Sequence, residues 1–348
     1  QISIDNPDQW GELTATLSGH LEQLNFALNA NGTGITGDIN AQLRPYATFP
    51  LKALNISLDY LNPSIISSDI PNANLSVFAD LNKNLIKKLI GEMTVINHSI
   101  APLNDDGLPP SAIKTQVQLS ASSLQFNDTS VNFPGDGIIS GHASWDLSNK
   151  SGLADLNVSN LNPLVIDNRL QAAQVSGSVK LSGNSESQEV TIQLQDDGLK
   201  FNTHLTHTDK ILTFDKFHLG HGKSHLTGQG TFDLSNQQTY NFTTNLEQFN
   251  LADFIQGPVS NLNAAIILTG SLSPQITGTF NYTIEKSQLA KHKVSGSGQI
   301  TFNGLEQFTS NVELNVGANY MHAQGGFGLP NDRLQLTIMA PSLAQIGF

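Results

Sequence analysis

An internal repeat constrains this chain more than any other feature of its sequence. Ile139-Ser-Gly-His-Ala-Ser-Trp-Asp-Leu-Ser-Asn149 aligns position by position with Leu226-Thr-Gly-Gln-Gly-Thr-Phe-Asp-Leu-Ser-Asn236. Weaker copies stand at Ile35-Thr-Gly-Asp-Ile-Asn-Ala-Gln-Leu43 and at Met321-His-Ala-Gln-Gly-Gly-Phe-Gly-Leu-Pro-Asn331. The third positions of the four copies are Gly37, Gly141, Gly228 and Ala323, separated by 104, 87 and 95 residues. A second element follows each copy: Asn62-Pro63, Asn162-Pro163, Asn250-Leu251 and Ser342-Leu343, each leading into a short apolar stretch. Asn or Ser caps a helix start and Pro is tolerated at its first position, so each predicts one helical turn between strands. The copies divide the chain into expected units 1–66, 67–166, 167–254 and 255–348 of a single repetitive segment.

Within each unit the apolar period is two. Leu54, Ile56 and Leu58 alternate with polar residues, as do Val190, Ile192 and Leu194; Phe280, Tyr282 and Ile284; and Leu334, Leu336 and Ile338. Alternation of this kind predicts antiparallel strands with one apolar and one wet face, hence an all-β fold. Asn31-Gly32, Asp106-Gly107, Asp136-Gly137, Asp197-Gly198 and Asn303-Gly304 read as hairpin turns. One stretch breaks the rule. Leu81, Leu85 and Leu89, with Lys83, Lys87 and Lys88 between them, have helical spacing and predict a short amphipathic helix or a basic loop.

Composition agrees with a strand-and-turn protein and excludes several functions. Only 13% of residues are charged, against roughly 25% in an average soluble chain. Lys and Arg number 17 against 29 Asp and Glu, a net charge of −12. Its overall field does not draw such a chain to nucleic acid or to anionic membrane surfaces, so no nucleic-acid partner is expected. The chain has no cysteine, which removes disulfides and thiolate metal sites without fixing a compartment. No run of 18 apolar residues is present. Gln1-Ile2-Ser3-Ile4 has neither the basic region nor the apolar core of a signal peptide, and the chain reads as a piece of a longer one.

Residues that suggest chemistry each have a plainer explanation. His204, His207, His218, His221 and His225 form the one histidine cluster. On an unbroken strand His221 and His225 share a face and His218 points away, with no carboxylate spaced to complete a metal site. Solvated histidines on turns are the expectation. Gly222-Lys223-Ser224 ends like a phosphate loop, but Phe217 stands where the first glycine is needed. Asp105 with Asp106, and Asp196 with Asp197, precede Gly-Leu and read as turn residues rather than an acid–base pair. No nucleophile elbow or matched Ser, His and Asp set appears. The expectation is no enzyme, no cofactor and no metal.

Three stretches carry a family resemblance. They are Gly270-Ser-Leu-Ser-Pro-Gln-Ile-Thr-Gly278, the Leu-Asn-Pro and Asn-Leu-Ala-Asp-Phe turns, and Phe214-Asp-Lys-Phe-His-Leu-Gly220 followed by Leu226-Thr-Gly-Gln-Gly230. This grammar resembles the TamB-like branch of the AsmA-like family of Gram-negative envelope proteins, and it runs through nearly the whole chain. The resemblance implies an elongated, highly curved β-sheet, folded like a taco shell into an open groove with an apolar interior. It implies a periplasmic location in a longer protein anchored at the inner membrane. It also implies phospholipid or nascent outer-membrane protein as cargo, and a TamA-type outer-membrane barrel as partner through regions outside this segment.

On this reading the apolar rows line the groove. The candidates are Ile56, Leu58, Val117, Leu119, Ile192, Leu194, Phe214, Phe232, Phe242, Ile266, Leu268, Phe280, Tyr282, Phe302, Leu314 and Leu336. The alternative is a structural or adhesive extracellular β-solenoid with a closed core. Such solenoids repeat every 20 to 30 residues, far less than the spacing found here.

Overall fold

The computed structural model describes residues 11–67, 70–84, 88–255, 257–304 and 306–342. The chain is all-β and antiparallel. It divides into two compact units, Gln1–Ser185 and Glu186–Phe348. The first unit holds β1 (Glu12–His20), β2 (Gln23–Asn31), β3 (Ile35–Leu43), β4 (Leu51–Leu61), β5 (Leu75–Lys83), β6 (Leu89–Asn97), β7 (Ala112–Leu119), β8 (Ser123–Asn132), β9 (Ile138–Asp146), β10 (Ser151–Leu161) and β11 (Val175–Asn184). The second holds β12 (Ser187–Gln195), β13 (Leu199–Thr208), β14 (Ile211–His221), β15 (Ser224–Asp233), β16 (Thr239–Phe249), β17 (Ser260–Ser271), β18 (Thr277–Leu289), β19 (His292–Asn303), β20 (Phe308–Val316), β21 (Asn319–Phe327) and β22 (Leu334–Met339). Inside each unit every strand pairs with its sequence neighbours, a meander that the short polar connections permit. Among the described residues the sheet does not close.

The four copies of the repeat motif lie in β3, β9, β15 and β21, six strands apart. The asparagine turns follow β4, β10 and β16 as 3-10 turns at Pro63–Ile65, Pro163–Val165 and Leu251–Asp253. Asn62 Oδ1 accepts from Ser64 N at 3.2 Å, and Asn162 Oδ1 accepts from Leu164 N at 3.1 Å. The same oxygens accept from the backbone where the loop returns, from Ala73 N and Ala173 N. Asn250 lacks the first bond but keeps the second, accepting from Ser260 N at 2.8 Å. One asparagine thus clamps both ends of the first two loops and the returning end of the third, satisfying donors that the strands have left behind. The fourth such stretch, after Ser342, lies outside the described residues.

Bulges recur along the strands. Register shifts by one residue in β8 between Phe126 and Thr129, in β10 between Val158 and Leu161, in β16 between Leu246 and Phe249, and in β18 between Ile284 and Ser287. In each, two residues oppose one, and the second of the two sits at positive φ: Asp128, Asn160, Gln248 and Lys286. A bulge frees a backbone N–H, and the next strand answers it: Asn160 N donates to Ser176 Oγ at 3.1 Å and Gln248 N to Asn263 Oδ1 at 3.0 Å. Extra residues of this kind bend the strand and increase its twist, which keeps a wide meander from lying flat.

Two sequence expectations are corrected. The helical spacing of Leu81, Leu85 and Leu89 does not make a helix across its described part. Leu81 and Lys83 belong to β5 and Leu89 opens β6, while residues 85–87 lie outside the described residues. Leu81 and Leu89 are instead core residues, packed with Val117 and flanked by Leu54, Met93 and Phe126. The cross-strand burial overrides the local pattern. Asp106-Gly107 is also not a tight hairpin. It ends a 3-10 turn at Leu103–Asp105 inside a long connection whose far side is bonded to the loop after β10, with Asn104 and Asn168 exchanging hydrogen bonds.

Candidate functional site

Residues opposed across an antiparallel ladder point to the same side, so the register sorts the side chains of each unit onto two faces. In the first unit Leu28 opposes Ile39, Ile39 opposes Ile56, Ile56 opposes Ala79 and Ala79 opposes Met93. Leu58 lies on this face opposite Val77, and Val117 and Leu119 follow opposite Gly91 and Leu89. On the other face Asn40 opposes Asn55, Asn55 opposes Asp80 and Asp80 opposes Glu92, with Asn29 and Asp38 opposed beside them. All four candidates of this unit therefore share one apolar face.

The second unit repeats the arrangement over a longer run. Leu194 opposes Phe201 and Ile192 opposes Thr203, which opposes Phe217. Phe214 meets Gly230 and Phe232 meets Tyr240. Phe242 opposes Leu268, which opposes Phe280, while Ile266 opposes Tyr282. Phe302 faces Gly278, Leu314 faces Gly296, and Leu336 faces Ala323. The twelve candidates of this unit fall on a single face. Sequence reasoning left out further members of it, notably Phe201, Phe217, Tyr240, Val312 and Phe308. Their signal was the same alternation, interrupted by bulges and glycines.

Aromatic rings and glycines are matched across this face. A Cβ built on Gly228 would come within 2.3 Å of Phe217, and one on Gly230 within 2.3 Å of Phe242. Tyr240 lies over both Gly270 and Gly278 and donates its hydroxyl to the Thr277 carbonyl at 3.0 Å. The rings are thereby let down against the sheet. Most of the face is half-buried by its own neighbours, while Leu336 remains 53% exposed. Two hydroxyls, of Thr203 and Ser310, are buried in it without a protein partner.

At the strand ends the 3-10 turns fold apolar residues over the edge of the face. Ile65, 1% exposed, packs with Ala30, Ile35 and Leu58. In the second unit Phe254 stacks on Phe249 with centroids 4.7 Å apart. His221 meets the edge of Phe254 and lies 3.5 Å from Asp253, whose carboxylate accepts from Ser224. These three residue types occur together in hydrolases, but here the buried Ser224 hydroxyl donates to the carboxylate and not to the imidazole, so the set closes a loop rather than activating a nucleophile.

The histidine cluster is arranged differently from the strand expectation. The chain turns at Gly222, so His218 and His225 share the polar face with rings stacked at 5.4 Å, and His221 is the one that points away. His207 pairs with Gln188, and His204 Nδ1 lies 2.6 Å from Asp215. Among the described residues no three His, Asp or Glu side chains come together as a metal site. Of the paired aspartates, Asp105 is committed to Asn168, and Asp197 stands in the connection between β12 and β13.

An antiparallel meander sheet with one apolar and one polar face is the class of fold that the strands of each unit define. Residues 196–347 match the family described as TamB, N-terminal domain, so this part of the chain is similar to the TamB-like family. That family is a non-enzymatic component of a translocation and assembly module in the Gram-negative envelope and acts with an outer-membrane partner. No curated protein and no solved structure matches the chain. Among the described residues no helix is long and apolar enough to cross a membrane.

Proposed function

We propose that the apolar face of each unit shields hydrophobic cargo, phospholipid acyl chains or segments of outer-membrane proteins, and guides it through the periplasm between the two membranes. The observation that carries this reading is the register: all sixteen candidate side chains lie on the apolar faces and none on the polar ones. A contiguous apolar surface much above a few hundred Å² demands an occupant in water. An acyl chain gains about 0.8 kcal/mol per methylene laid on it. Sparse charge suits the role, because an ionised group on the path would have to be desolvated as a tail slides by. A closed structural core is the competing reading, and the open edge of the sheet speaks against it.

Photo-crosslinkers test the proposal directly. Placed at Phe232 or Leu268 they should capture lipid or an extended polypeptide in cells. Placed at Asp233 or Ile267, one residue along and on the other face, they should capture much less. Equal capture from both faces removes the conduit reading. The identity of the captured molecule decides between lipid and polypeptide. The outer-membrane partner is proposed to be a TamA-type barrel.

A further inference from the structure

The polar face of the second unit contains a feature that the apolar face does not account for. A cleft of about 430 Å³ opens on it, lined by Asn202, His204, Lys216, His218 and Thr227, with Thr191 and Gln193 beside them. No carboxylate lines it, in a chain where Asp and Glu outnumber Lys and Arg 29 to 17. The register explains how these residues assemble. Lys216 opposes His204, and His218 opposes Asn202 on one side and Thr227 on the other. Lys200 and His225 both oppose Gly220. That glycine lets the two imidazoles close over it at the end of the cleft, since a Cβ there would lie 3.0 Å from both His218 and His225. The two imidazoles approach to 3.3 Å, Nε2 to Nδ1.

We propose that this cleft binds a doubly charged tetrahedral oxyanion, of the sulfate or phosphate type. Lysine ammonium, imidazole N–H, the Asn202 amide and threonine hydroxyls are the donors that such an anion takes. His204 is paired with Asp215, while Lys216 and His218 face no carboxylate inside the cleft. The acidic groups nearby stand on its margin: Asp215 is bonded to His204, Glu247 opposes His225, and Glu189 opposes Thr206 on β12. Burial, and after it the charges of His225, Lys216 and Lys200, hold the His218 imidazole below its ordinary range. A bound dianion reverses the effect of those charges. By linkage, binding must then tighten as pH falls through the imidazole range, and bound anion must raise the His218 midpoint.

The test uses sulfate, whose charge is constant over that range. In the full chain, imidazole resonances are followed by NMR during titration with sodium sulfate at fixed ionic strength, near pH 6 and near pH 8. The expected result is a saturable shift of His218 and His225, tighter at the lower pH, with His98 of the first unit unmoved. Lys200→Gln with Lys216→Gln should weaken it roughly tenfold, while Lys216→Arg retains it. A linear response, or an unchanged response in the double glutamine variant with an unaltered circular dichroism spectrum, overturns the site. Vesicles separate the sources of the anion. Sedimentation with phosphatidic acid vesicles but not phosphatidylcholine vesicles, competed by sulfate, supports the site with a lipid headgroup as its ligand. Saturable sulfate binding without sedimentation supports it with a free anion.

Discussion

Leu89 is fully buried between Leu81 and Val117, with Leu119 directly opposite. In a single sheet so complete a burial is uncommon, and truncating the side chain would leave a cavity among Leu81, Val117 and Leu119. Leu89→Ala is expected to cost about 2–5 kcal/mol, read as a shifted denaturation midpoint with an unchanged m-value. Thr203 should behave in the opposite sense. Its hydroxyl is buried without a protein partner, so Thr203→Val is expected to stabilise the second unit by about 1 kcal/mol. Loss of stability would show that the hydroxyl has a partner after all. At the surface, Arg169 beside Asp167 holds that carboxyl at about 2, with a 2.5 Å contact to Nη2. A folded-state value below the unfolded one means that the interaction is present above the unfolded value and lost as pH falls toward 2. NMR titration should find Asp167 still ionised where ordinary aspartates have protonated, and Arg169→Gln should return its midpoint toward 3.8. Single residues were the least legible scale in the sequence. Leu89 carried a helical spacing that its cross-strand neighbours overrule, and the histidine faces depended on a turn at Gly222 that alternation alone does not locate.

Strands and turns were far more legible. Alternation placed Ile192, Leu194, Phe280, Tyr282 and Leu336 on one face because a period of two leaves no other choice in a paired strand. The Asn-Pro pairs announced their 3-10 turns through capping chemistry that needs only three residues. The bulges were not visible. They arise where a strand must bend against its neighbours, and Asn160 or Gln248 at positive φ has no local signature beyond polarity. Asparagine tolerates that conformation and valine does not, so Asn160→Val should cost about 1–2 kcal/mol, and Asn160→Gly much less. Ser176→Ala should lose part of the same amount, because it leaves the Asn160 amide without its acceptor. Chemical denaturation of the three variants checks the ranking. If valine and glycine behave alike, the bulge is not holding Asn160 in the left-handed region.

At the scale of the molecule, motif and turn recur every six strands, and we propose the six-stranded step as the repeating unit. A unit of this kind cannot bury its apolar face alone; it gains cover from neighbours along the sheet and, on the proposed function, from a guest. The strongest test of that dependence lies at the centre of the second unit's face. Ile266 opposes Tyr282 and Thr244, and Leu268 opposes Phe280 and Phe242. Both are half-buried, so aspartate at either position can still reach water in the absence of cargo, and the ladder that carries them stays paired. Ile266→Asp with Leu268→Asp should therefore fold. A tail crossing the two carboxylates would have to strip their hydration, at several kcal/mol, while giving up the contacts of two large side chains. Each 1.4 kcal/mol weakens binding tenfold, so bound lipid or polypeptide should fall below detection in native mass spectrometry of the purified variant. The same two changes on the polar face, at Asn241 and Thr243, should leave the guest in place, and a variant pair that loses cargo equally would end the case for a one-sided path.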